Sequence, residues 1–95
     1  MRRAAHIDSN QSEIVRALRV AGASVEPKLA RVGDGCPDLL VGIRKVTTIF
    51  EVKDGKKPPS KKKLTEDEIR WHNSWNGSVY IVESVEQALQ VLAAL

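Results

Sequence analysis

Residues 35–55 read GCPDLLVGIRKVTTIFEVKDG, and this stretch decides how the chain folds. Leu39-Leu40-Val41-Gly42-Ile43 is a short continuous apolar run with the length and composition of a buried strand. Val46 to Lys53 is rich in β-branched and aromatic residues, and Arg44-Lys45 supplies the turn, so the two runs read as an antiparallel hairpin. Its charges are out of place for a core. Asp38 stands at the mouth of the first run, and Glu51 and Lys53 interrupt the second. Side chains alternate along a strand, so Glu51 and Lys53 share one face while Phe50 and Val52 share the other. Pairing the runs brings Asp38 to the end that carries Glu51 and Lys53. Two carboxylates and an ammonium then meet at one end of a sheet.

Carboxylates held this close repel each other unless a cation lies between them. A hard divalent ion such as Mg²⁺ suits the arrangement, because it takes a few carboxylate oxygens and keeps several waters. The lysine can orient or deprotonate a water, or stabilise charge in a phosphorane-like transition state. The constellation points to phosphodiester hydrolysis. For an isolated Glu-x-Lys triplet a surface ion pair is the commoner explanation. The order Pro-Asp, apolar run, Glu-x-Lys favours a site.

The chain of 95 residues has room for one domain, 1–95, with a modest core of Val, Ile, Leu and Ala, since only four residues are Trp, Tyr or Phe. Domains this small often gain stability by association. No apolar run is long enough to cross a membrane, no signal-peptide core follows Met1-Arg2-Arg3, and the single cysteine, Cys36, has no disulfide partner; a cytosolic protein is expected. Residues 1–8 read as a loose arm. Asn10 with Glu13 forms a capping-box pattern that opens a first helix ending at Gly22. Short strands are expected around Val25 and around Leu29 to Arg31, before the turn Gly33-Asp34-Gly35, where Asp34 reads as a turn former. After the hairpin, Thr65 with Glu68 caps a second helix that runs to about Trp75 and stops at Asn76-Gly77. Val79 to Val82 is a strand, and Ser84 with Gln87 caps a terminal helix. The α-β-β-β-α-β-α order is that of a mixed α/β domain around a small sheet.

Pro37-Asp38 and Glu51-Val52-Lys53 together resemble the PD-(D/E)xK nuclease superfamily. The wider set, Glu13, Gly33-Asp34-Gly35-Cys36-Pro37-Asp38-Leu39-Leu40-Val41-Gly42, Glu51-Val52-Lys53-Asp54-Gly55 and Lys63-Leu64-Thr65, is similar to the small stand-alone VRR-NUC (virus-type replication-repair nuclease) domains of phages and bacteria. The resemblance runs through residues 10–92. It implies a restriction-endonuclease-like core, a small mixed β-sheet flanked by helices, and a DNA nuclease that uses Mg²⁺ or Mn²⁺. It assigns Asp38, Glu51 and the carbonyl of Val52 as metal ligands, Glu13 as a further contributor from the first helix, and Lys53 as the residue that serves the attacking water. Glu13 reads equally well as a helix cap. Many family members carry a Gln where this chain has Glu68, which either substitutes for it or caps the helix, the cap being the preferred reading. Trp71 and Trp75 share a helix face and read as core or subunit interface; His72 reads as structural or exposed.

Net charge is +3, but residues 54–63 alone carry +4, and the remainder holds ten basic and eleven acidic groups. Lys56, Lys57, Lys61, Lys62 and Lys63 sit in this loop around Pro58-Pro59-Ser60, directly after the motif strand. A lysine run is usually a solvated linker. Here its position suits non-specific phosphate contact, because carboxylates by themselves repel DNA. The expected protein is a metal-dependent, structure-selective DNA endonuclease, similar to Holliday-junction resolvases and homodimeric, with branched DNA as partner. The rival expectations are a nicking or flap-type endonuclease and a non-catalytic nucleic-acid-binding module.

Overall fold

The computed structural model describes residues 8–95, so the expected N-terminal arm lies outside the described residues apart from Asp8. Helix α1 (Gln11–Val20) is followed by strand β1 (Ser24–Glu26), strands β2 (Leu39–Ile43) and β3 (Val46–Val52), a single helical turn α2 (Pro59–Lys62), helix α3 (Glu66–Ser74), strand β4 (Val79–Val82) and helix α4 (Val85–Ala94). The expected strand at Leu29 to Arg31 is instead a 3-10 turn, Leu29–Val32. Its four residues carry no alternation of buried and exposed side chains, and Gly33 stops it with a positive φ of 88°.

The sheet order is β1-β2-β3-β4. The hairpin forms in the expected sense, with Leu39 opposite Phe50 and Ile43 opposite Val46. Its two-residue turn places Arg44 and Lys45 at φ 49° and 68°, the conformation that a tight hairpin demands and that usually selects Asn or Gly. Arg44 is held there by its guanidinium, which donates to the carbonyls of Leu92 and Leu95 at the end of α4. β4 joins β3 in parallel, Phe50 opposite Tyr80 and Val52 opposite Val82, which the intervening α2–α3 crossover makes possible.

One face of the sheet carries the apolar core. Leu39, Val41, Phe50, Val52 and Val82 meet Ile14, Val15 and Leu18 of α1 and Ala88 and Leu92 of α4. The opposite face of β3 carries Glu51, with Lys53 just past the strand, and α3 reaches them there. Burial is continuous from Thr48 to Val52 because β2 and β4 flank β3 and both its faces are covered.

The expected Asn10–Glu13 capping box is not formed. Asn10 makes no side-chain cap; its amide donates to the carbonyls of Lys53 (3.2 Å) and Glu83 (3.1 Å), tying α1 to the ends of β3 and β4. The Thr65–Glu68 box is complete in both directions. Ser84 accepts from the Gln87 N–H, while the Gln87 side chain accepts from Glu83 N–H.

Gly35 explains how α3 docks. A Cβ there would lie 2.3 Å from the carbonyl oxygen of Asp67, and φ is +84°. The loop before β2 thus rests directly on the first turn of α3. A Gly35→Ala substitution should cost about 2 kcal/mol or more in urea denaturation, and should raise amide exchange within α3 before that of β2 and β3.

Candidate active site

β2–β3 register puts Asp38 directly across from Glu51. The Asp38 N–H donates to the carbonyl of Phe50 (3.2 Å), and its Oδ2 accepts from the N–H of Val52 (2.7 Å). The backbone of β3 therefore aims the carboxyl that comes from β2. Glu51 is 2% exposed and Asp38 8%. Burial raises the Asp38 pKa, an effect that its hydrogen bonds to Glu51 and Val52 reduce without cancelling. Burial, the hydrogen bond with Asp38 and the charges of Asp38 and Glu68 push Glu51 up to about 10. Both shifts favour the protonated form of one carboxyl over two charges in so dry a place. Like charges this close are otherwise relieved by a cation between them.

Lys53 lies beyond them, its N–H bonded to the carbonyl of Val82 (3.0 Å) and its Nζ 2.9 Å from Glu68 Oε1. Burial works against the ammonium, but the hydrogen bond and charge of Glu68, with the fields of Glu51 and Asp8, outweigh it and leave the pKa above the ordinary lysine value. Lys53 is a charged donor. Glu68 Oε1 also accepts the Thr65 N–H (2.8 Å), so one oxygen closes the cap and holds the lysine. Burial would raise the Glu68 pKa; the bonds from Thr65 and Lys53 reverse this and keep it ionised. His72 Nε2 stands 3.1 Å from Glu51 Oε1, with burial lowering the imidazole pKa.

Asp38, Glu51, Val52 and Lys53 are thus brought together as the sequence implied. Glu13 is not brought to them. It is exposed on α1 and lines the clefts against α4 beside Val85, because Ile14, Leu18 and Gln11 take the inward-facing positions. Of the five loop lysines, Lys62 pairs with Glu83 (2.9 Å) and Lys57 with Asp8 (3.5 Å); Lys56, Lys61 and Lys63 are exposed. Trp71 and Trp75 stack on each other, ring centroids 4.8 Å apart, at the surface of α3 instead of entering the core.

Reasoning from sequence missed two contacts, Glu68 to Lys53 and His72 to Glu51. A signal for them exists. Strand residues two apart are separated by about 6.6 Å and helix residues four apart by about 6 Å, so Glu68 and His72 on α3 match the spacing of Lys53 and Glu51 on β3.

Among the described residues, no group of three or more His, Cys, Asp or Glu is gathered to hold a metal ion. Two facing carboxylates nevertheless fit a hard divalent cation that completes its shell with water and phosphate oxygens.

No protein-family model and no curated protein matches the chain. A solved structure described as "VRR_NUC domain" does, with a TM-score of 0.65 and 25% sequence identity, covering 87% of this chain and 89% of the other. The chain is a VRR-NUC domain. As such it is a nuclease of the PD-(D/E)xK type, and such domains typically use divalent metals. Among the described residues of this VRR-NUC domain, no helix is long and apolar enough to cross a membrane.

A buried carboxyl whose folded pKa is raised binds a proton on folding. Its stability contribution is full below the unfolded value of 4.5 and is lost as pH climbs towards about 10. The metal-free VRR-NUC domain should therefore lose thermal stability between about pH 5 and pH 9. Glu51→Gln, which keeps a donor for Asp38 and an acceptor for His72 without the charge, should raise the melting temperature at pH 8 and flatten that dependence, as read by calorimetry.

Proposed function

We propose that this VRR-NUC domain is a divalent-metal-dependent DNA endonuclease that selects branched DNA by shape and acts as a homodimer. The observation that carries the reading is the buried Asp38–Glu51 pair beside a lysine kept charged by Glu68. Burying two carboxylates and an ammonium at one strand end is costly unless they do work together. Mg²⁺ or Mn²⁺ is the cofactor class the pair favours, with Asp38 and Glu51 as ligands and the carbonyl of Val52 as a third. When bound, the cation supplies positive charge that draws the scissile phosphate in and stabilises charge growing on its oxygens.

The remaining work falls to the chain's own groups. Val52 N–H holds Asp38 in one orientation, so the carboxylate need not reorganise when substrate arrives. Lys53 acts as a donor, to the attacking water or to a non-bridging phosphate oxygen, and not as the base, because Glu68 keeps its proton on. Lys56, Lys61 and Lys63, exposed beyond the end of β3, give the positive field that brings a polyanion towards an acidic site. Such contacts position DNA without reading its bases. A small domain cutting two strands symmetrically does so most simply as a twofold dimer.

The deciding experiment is Mg²⁺-dependent cleavage of a labelled four-way junction beside its linear duplex. Paired cuts are expected on the junction, few on the duplex, and a loss of at least about 100-fold for Asp38→Asn and for Lys53→Ala. Binding without metal-dependent cutting of either substrate would make the domain a non-catalytic nucleic-acid module, and single cuts confined to flaps would retain the chemistry but change the substrate.

A further inference from the structure

α3 buries none of its residues, yet two of its side chains turn inward. Glu68 goes to Lys53, and one turn later His72 goes to Glu51. The His72 side chain is 12% exposed and that of Glu51 3%, while the edge of the Trp71 ring system packs near the imidazole, centroids 6.0 Å apart at 75°. A ring placed for packing alone would meet apolar atoms. This one instead lays a nitrogen 3.1 Å from a carboxylate oxygen on a helix that contributes nothing to the core.

We propose that His72 is a positioning residue for the Glu51 carboxylate, holding it by Nε2 to Oε1 in the orientation in which it faces Asp38 and a divalent cation. The inference rests on the reading of Asp38 and Glu51 as the metal-binding pair. The contact is a hydrogen bond in the tautomer in which Nε2 carries the hydrogen, and the imidazole then donates to Oε1. A carboxylate at the end of a three-bond side chain has free torsions, and this hydrogen bond removes the last of them. Glu68 does the same for Lys53, so α3 fixes both charged members of Glu51-Val52-Lys53 from one rigid element. Groups that orient a metal ligand without touching the metal commonly change metal affinity by about 10-fold or more when removed.

The test is calorimetric titration of Mn²⁺ alone into the wild type, His72→Leu, His72→Gln and Asp38→Asn, with far-UV circular dichroism and melting on each. The expected result is a Mn²⁺ dissociation constant about 10-fold weaker for His72→Leu with the fold retained, and recovery to near wild type for His72→Gln, whose amide can donate to the same oxygen. Equal affinity in wild type and His72→Leu, with Asp38→Asn still abolishing binding, would overturn the positioning role while leaving the metal site intact. Equal loss in a folded His72→Gln would also overturn it, since a donor alone would not then suffice. No Mn²⁺ binding by the wild type would overturn both this role and the metal-site reading beneath it.

Discussion

Everything at the functional end of this molecule depends on the register of β2 against β3. With Leu39 opposite Phe50, Asp38 falls opposite Glu51, and its carboxyl can take the N–H of Val52. A slip by one residue would turn Phe50 and Val52 away from the core and bring Glu51 into it. Phe50 and Val52 are fully buried against α1 and α4, so the apolar face enforces the register and the polar face inherits it. The core stabilises the sheet; the charged pair on the other side costs part of that stability and is carried by it.

α3 is attached in an unusual way. Most helices of small domains are held by an apolar stripe, but this one contacts the sheet through Glu68 and His72 and rests on the backbone at Gly35. Its order therefore depends on the charge state of the residues it holds. Exposed Ile69 on α3 and Trp75 just past its end, together with Ile81 on the edge strand β4, which lies beside Glu51, leave apolar surface on this side of the fold, consistent with a helix that was not recruited for its hydrophobicity.

The hairpin, both later helices and β4 were legible in the sequence because each has a local signature: a two-period run, a turn pair, a capping box. The site was legible because strand alternation alone puts Glu51 and Lys53 on one face. What stayed hidden was non-local or conditional. Residues Leu29 to Arg31 have strand-like composition but no partner strand to pair with, and settle into a 3-10 turn. Asn10 looked like a helix cap, yet tertiary carbonyls compete for its amide. Glu13 lies on the outer side of α1 because the phase of that helix is fixed by Ile14 and Leu18. Glu68 has the sequence signature of a cap and does cap; nothing short of the fold shows that the same oxygen also takes Lys53.

Asn10 also carries a chemical vulnerability. Its amide nitrogen gives one hydrogen to a carbonyl 43 residues along the chain and another to one 73 residues along, joining the ends of the only parallel strand pair among the described residues to the first helix. Asn and Asp are close equivalents at most helix starts, since both cap through an oxygen. Here the working atom is nitrogen. Deamidation would replace a double donor with an anion facing two carbonyl dipoles, so slow hydrolysis of this one amide, a loss of a single nitrogen atom, would loosen the joint beneath the Lys53 end of β3.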